Sequence, residues 1–265
     1  VSLYGVAAGM AVPILFIPSS LIGSIAVVLA PELSENFYRN RTERLKADVE
    51  KSLRAAMLIA LALIPLLFSL GETVGEVLFS NELSGEIVQN CCIILLPMCL
   101  SMITNTVLNS MNREKATLGF YFCGAAATLV CIAALTPVIG VYSYVAGLAA
   151  SFVISAALNL RLLKKLCPGM KIWGYFMRGF AACAMCCAFG RLLMGILQNY
   201  MPAIWSMIVC GIMLAAFGAA TFLLFKTYSL KPAAEWLRAR REKRRHTVKA
   251  QYSSSTVSGA AKLQR

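Results

Sequence analysis

Ser101, Asn105 and Asn109 stand four residues apart in an otherwise apolar stretch, with Thr104 beside them. On a helix that spacing draws one polar line down a single face. Hydroxyls and amides do not attack or protonate a substrate unaided; their chemistry is hydrogen bonding. Intramembrane amides are costly unless partnered, and they face a bundle interior or a cavity. Two roles stand open, helix–helix hydrogen bonding and contact with a polar ligand, and both turn this face inward. A second set lies in the uncharged run from Val6 to Ala30, where Pro13 and Pro18 are followed by Ser19, Ser20 and Ser24. Each proline removes a backbone donor and crowds the preceding turn, so a kinked or locally opened helix is expected. In hydrocarbon the freed carbonyls need protein or water partners, and the three serines are placed to help. A bent, hydroxyl-bearing helix is a candidate wall for an intramembrane pathway, and it is expected to stop at Pro31-Glu32. Arg191, at the outer end of an apolar span, is a third candidate, for an anionic head group or a cavity, with snorkelling to water as its alternative. Arg178, near the other end of that span, is read as snorkelling.

Other chemistries lack their residues. The single histidine, His246, lies in a basic tail. No Ser–His–acid set, zinc-protease helix, phosphate loop or Gly-rich dinucleotide turn occurs. Catalytic residues, a metal and a cofactor are therefore not expected. Acids are missing from the spans apart from Glu72 and Glu76 near one end, which leaves no buried carboxylate for a proton relay. Nine of the ten cysteines fall inside apolar spans, where cysteine packs as a compact apolar side chain. Cys183, Cys186 and Cys187 share a helical face, and metal or redox chemistry there is the alternative to packing.

The elements that position these residues are membrane spans. The chain of 265 residues is 59% hydrophobic and 14% charged, with a mean hydropathy of +0.72, where soluble domains carry about a quarter charged residues. Seven apolar segments are predicted at 5–30, 54–79, 87–110, 118–139, 142–163, 173–197 and 203–228. The fold class is thus an all-α integral membrane protein of about seven transmembrane helices. The fourth and fifth spans are rich in Gly, Ala and Ser, which suits close helix packing. Tyr142, Tyr144, Trp173 and Tyr175 match interfacial aromatic belts. Basic residues concentrate in alternate loops: Arg39 to Arg54, Arg113 and Lys115, Arg161 to Lys171, and the tail. The positive-inside rule then puts those loops and the C-terminus in the cytoplasm.

Residues 36–52 are too polar to cross and have helical spacing, with Arg44–Asp48 and Glu50–Arg54 as i,i+4 pairs. They are expected to form an amphipathic helix on the membrane surface, a solvated connector being the alternative. Residues 1–230 read as the transmembrane bundle and 231–265 as a basic cytoplasmic tail, its end disordered. Arg241, Lys243, Arg244 and Arg245 of that tail are expected to bind anionic membrane lipids rather than nucleic acid. The chain begins at Val1, already beside a spanning segment, with no signal-peptide pattern, and the expectation is of a missing N-terminal part.

The first span, Gly9-Met10-Ala11 through Pro13, Pro18-Ser19, Gly23-Ser24 and Pro31-Glu32-Leu33-Ser34-Glu35-Asn36, resembles the first helix of the C-terminal half of bacterial polysaccharide-lipid flippases. The resemblance is to the stage V sporulation protein B group of the multidrug/oligosaccharidyl-lipid/polysaccharide exporter superfamily. It extends over roughly residues 4–228, and Leu108-Asn109-Ser110-Met111-Asn112-Arg113 is similar to that family's Leu-Gln-Gly-containing helix end. Peptidoglycan-precursor flippases of the superfamily carry an arginine five residues before the second proline. Pro13 stands there in this chain, so their anion-binding role is not carried over. The resemblance implies one lobe of a two-lobed fold, with the sixth and seventh spans as extra C-terminal helices and the other lobe as partner. It implies a non-enzymatic flippase in the bacterial cytoplasmic membrane, moving a polyprenyl-phosphate-linked saccharide by alternating access for cell-envelope or spore-cortex polysaccharide. The path would include the first-span prolines and serines together with Ser101, Asn105 and Asn109. A multidrug cation antiporter and a non-transporting scaffold for envelope synthesis are the alternatives.

Overall fold

The computed structural model describes residues 3–170 and 173–224, and every regular element among them is helical. The first span begins with α1 (Leu3–Val6), widens into a π-helical turn (Ala7–Ala11) and continues as α2 (Val12–Tyr38). The wide turn lies just before Pro13, whose ring would otherwise meet the carbonyl four residues back. This is the opening that the prolines predict. Helix α2 does not stop at Pro31. It runs on to Tyr38 because the turns beyond are held by tertiary contacts: Leu33 is fully buried, Ser34 Oγ donates to the Ser110 carbonyl at 3.1 Å, and Asn36 is buried against Asp48.

A tight turn with Asn40 at φ 52°, a left-handed conformation that asparagine tolerates, leads into α3 (Thr42–Phe79). The expected separate surface helix over 36–52 is therefore not seen. Residues 42–52 are the first turns of a continuous helix of 38 residues, and their apolar side, Leu45 and Val49, is buried together with Leu53 one turn further on. Asp48 is correspondingly not paired with Arg44. Its Oδ2 accepts from Asn36 Nδ2 at 2.8 Å and its Oδ1 lies 3.7 Å from Lys51 Nζ. The Glu50–Arg54 pair forms, at 2.7 Å.

Next come α4 (Glu82–Cys91), a 3-10 turn (Cys92–Ile94), α5 (Leu95–Ser110), α6 (Glu114–Ile139), α7 (Tyr142–Leu166), α8 (Trp173–Leu197) and α9 (Ala203–Leu224). Among the described residues, seven helical spans, counting α4 and α5 as one, are long and apolar enough to cross a membrane. The protein is an all-α, multi-pass membrane protein. Valines and leucines turned away from the bundle fit that setting: Val28 is 76% exposed and Val138 80%, an outer surface stable in hydrocarbon and a liability in water.

Helix α3 is central, packing against α2, α4, α5, α8 and α9, while α5 lies between α2, α3 and α7. Helix α6 leans chiefly on α7. That seam uses the small residues its sequence offers. A Cβ on Gly124 would come 2.6 Å from Ser151 Oγ, and Thr128 Oγ1 donates to the Gly147 carbonyl at 3.1 Å. Helices α3 and α4 approach still closer, since a Cβ on Gly75 would lie 2.2 Å from the Gly85 backbone nitrogen. In lipid, where burial of apolar surface gives no preference for helix over tail, such proximity supplies the association energy.

Candidate functional site: the polar seam of α5

The apolar positions of α5 (Leu95, Leu96, Met98, Cys99, Ile103, Val107, Leu108) are buried and fix the rotation of the helix. That rotation carries the line of Ser101, Asn105 and Asn109 toward α7 and α6. Ser101 is only 4% exposed, and Thr104 beside it donates to the carbonyls of Leu100 and Ser101 at 2.6 and 3.0 Å. Asn105 Oδ1 accepts from Asn159 Nδ2 of α7 at 2.7 Å. Asn109 Oδ1 accepts from Thr117 Oγ1 of α6 at 2.8 Å. The inward orientation expected of the whole line is thus seen in part: Ser101 is buried, Asn105 half-buried and Asn109 exposed, and Asn105 and Asn109 make helix–helix hydrogen bonds.

The seam also borders space. An open groove of about 480 Å³ is lined by Asn105, Asn109, Glu114, Lys115, Thr117 and Tyr121, among others, most of them exposed. Amides, a hydroxyl and a phenol on one wall can both donate to and accept from a hydroxyl-rich ligand, and the Glu114 and Lys115 pair offers both signs of charge. Asn159 and Thr117 were not singled out from the sequence. Asn159 carries an observable signal: it is the lone amide of its span. It is fully buried, and its Oδ1 has no partner among the described residues.

The other candidates lie elsewhere. The hydroxyls of Ser19, Ser20 and Ser24 donate to the carbonyls of Phe16, Ile17 and Ser20 at 2.6, 2.8 and 2.9 Å. None of these is the Ile14 carbonyl that Pro18 frees, so the expected compensation does not occur there. Pro18 is buried, Ser19 half-buried, and Pro13, Ser20 and Ser24 are exposed. Pro13, Ser20 and Ser24 lie on a face of α2 that the described helices leave uncovered, and none of the five residues lines the cavity beside α5. Arg191 of α8 is half-exposed, 3.8 Å from the Glu72 carboxylate and 5.7 Å from the Phe68 ring centroid, both on α3. Its nearest charged partner is thus an acid rather than an anionic ligand. Arg241, Lys243, Arg244 and Arg245 lie outside the described residues.

All ten cysteines are unpaired, and no cluster of metal-ligating side chains occurs among the described residues. Cys186 packs by Thr221 at 3.3 Å, beside the stacked rings of Phe189 and Phe217. These contacts join α8 to α9. No protein-family model matches the chain, and no curated protein is significantly similar to it.

Proposed function

We propose that this chain is one lobe of a two-lobed flippase, moving a polyprenyl-phosphate-linked saccharide across the bacterial cytoplasmic membrane for cell-envelope or spore-cortex polysaccharide synthesis. The observation that carries the reading is the Asn105–Asn109 seam beside an open groove where α5 meets α6, which brings amides, a hydroxyl and both signs of charge to the edge of an otherwise apolar bundle. A saccharide presents hydroxyls that amide groups bind in both directions, while its lipid stays in hydrocarbon. The resemblance of the first span and of Leu108 to Arg113 to stage V sporulation protein B-like flippases supports it further. In this reading the uncovered face of α2, with Ser20 and Ser24, looks toward the other lobe, and the two lobes rock to expose the path to each side in turn. No catalytic group and no cofactor take part.

The antiporter reading wants a titratable intramembrane acid. Asp48, the buried carboxylate of α3, has both oxygens engaged by Asn36 and Lys51, so the structure does not favour that role. The test is transport of a fluorescent polyprenyl-phosphate-linked sugar in liposomes by the full-length protein. Flipping that falls at least tenfold in Asn109→Ala supports the reading. A full-length protein that inserts and folds but moves no lipid-linked sugar overturns it in favour of a scaffold.

A further inference from the structure

A second cavity, of about 570 Å³, lies between α3, α5, α7 and the start of α8 and shares no lining residue with the cavity beside Asn105. Leu53 and Met57, Leu100, Ala157 and Leu160, and Phe176 supply its walls. It opens outward beside Val153 and Ala157, both exposed, between helices that each qualify as membrane spans. The volume falls in the ~300–1,000 Å³ range of small-molecule sites. The walls, however, offer almost no polar atoms to orient a soluble ligand.

Charge enters only at one end. Lys164, in the last turn of α7, is the one charged side chain of the lining. Lys46 of α3 reaches the same end. Its Nζ lies 3.2 Å from where a Cβ on Gly169 would sit, one residue before Met170, which lines the cleft. The ammonium also acts on Cys167, whose thiol burial pushes up and Lys46 pulls back down. Neither lysine has a carboxylate within ion-pair distance among the described residues.

We propose that this cleft holds one acyl chain of an anionic phospholipid from the surrounding leaflet, with the lipid phosphate held between Lys164 and Lys46. Exchanging bilayer hydrocarbon for an apolar wall gives no hydrophobic gain. The tail therefore supplies fit, and selectivity must come from the head group. Two unpaired ammonium groups at the mouth favour a phosphate whose charge no choline cancels. The site does not depend on saccharide transport, because a membrane protein of any activity could carry such a lipid.

The test is binding of phosphatidylglycerol and of phosphatidylcholine to the purified full-length chain, read by native mass spectrometry and by thermal unfolding in detergent. Each lysine near a lipid phosphate is expected to contribute about fivefold in affinity, the equivalent of ~1 kcal/mol. Phosphatidylglycerol should therefore bind at least tenfold more tightly than phosphatidylcholine. Lys164→Ala and Lys46→Ala should each lose about fivefold for phosphatidylglycerol and nothing for phosphatidylcholine. Both remove exposed or half-exposed groups without ion pairs, so the fold is expected to persist. Ala157→Trp, which fills the cleft from its open side, should abolish the preference with helicity unchanged. Equal binding of the two lipids, or a preference that survives both lysine substitutions, overturns the proposal. So does displacement of phosphatidylglycerol by an equimolar polyprenyl phosphate, which would assign the cleft to transported lipid. Loss of flipping with phosphatidylglycerol binding intact would count against the transport reading alone.

Discussion

The Asn105–Asn159 hydrogen bond allows a quantitative test of how α5 is held to α7. Asn159 is fully buried, its Nδ2 donates to Asn105 over 2.7 Å, and its Oδ1 is already unpartnered among the described residues. Asn105→Ala removes the one acceptor and leaves the whole Asn159 amide unpaired, for which ~1–3 kcal/mol is expected in a protein interior. Measured couplings between membrane helices are smaller, ~0.6 kcal/mol on average and up to ~1.7, because the unfolded chain also finds partners. The short distance and the complete burial of Asn159 put this pair toward the upper end of that range. Asn159→Ala removes donor and orphan acceptor together, so adding Asn105→Ala to it should cost little more. The assay is a double-mutant cycle read by denaturant unfolding of the full-length chain in bicelles. A coupling of about 1–1.7 kcal/mol is expected. Additive losses, with the double variant as unstable as the two singles summed, would refute the claim that this bond joins the helices.

Gly75→Ala should destabilise by about 1–3 kcal/mol or more, since its Cβ would sit 2.2 Å from the Gly85 backbone nitrogen. Gly119→Ala, with nothing within 4 Å of its Cβ, should be neutral or stabilising by up to ~1 kcal/mol; unfolding in bicelles checks both. Asp48→Ala should cost ~1–3 kcal/mol by orphaning the buried Asn36 amide, whereas Asp48→Asn, which keeps an acceptor, should cost less in the same assay. Burial holds the Cys167 thiol above its ordinary value and Lys46 partly opposes this. Its alkylation in an otherwise cysteine-free chain should therefore be slower than that of a free thiol near pH 8 and should speed up as pH rises. Lys46→Ala should slow it further, because losing a nearby positive charge disfavours the thiolate.

The seven spans were legible because length and apolar composition decide them without tertiary information. Close packing of the fourth and fifth spans was legible too, from their Gly, Ala and Ser content, but not that the two pack on each other through Gly124, Gly147 and Ser151. Helix ends were not. Pro31 signals a stop in isolation, yet Leu33 is buried and Ser34 and Asn36 find partners on α5 and α3 that carry the helix past it. The connector looked like a surface helix because Leu45 and Val49 give it an amphipathic face. Whether such a face meets lipid or protein depends on neighbours that no local pattern contains. That Asn105 and Asn109 make helix–helix hydrogen bonds followed from the cost of intramembrane amides, although Asn109, near the end of α5, stays exposed. Their partners did not, because Asn159 lies 54 residues from Asn105 and only the folded bundle brings the two together.

The proposed function requires the α5 seam to face a watery path rather than lipid, and accessibility tests that most directly. Single cysteines at Asn105, Asn109 and Leu129 of α6, placed in a full-length protein otherwise free of cysteine, are exposed in proteoliposomes to a water-soluble maleimide. Leu129 is 69% exposed on the outer surface and should face hydrocarbon. Reaction at positions 105 and 109 with none at 129 is the predicted result. Reaction at 129 with both seam positions silent would contradict the account.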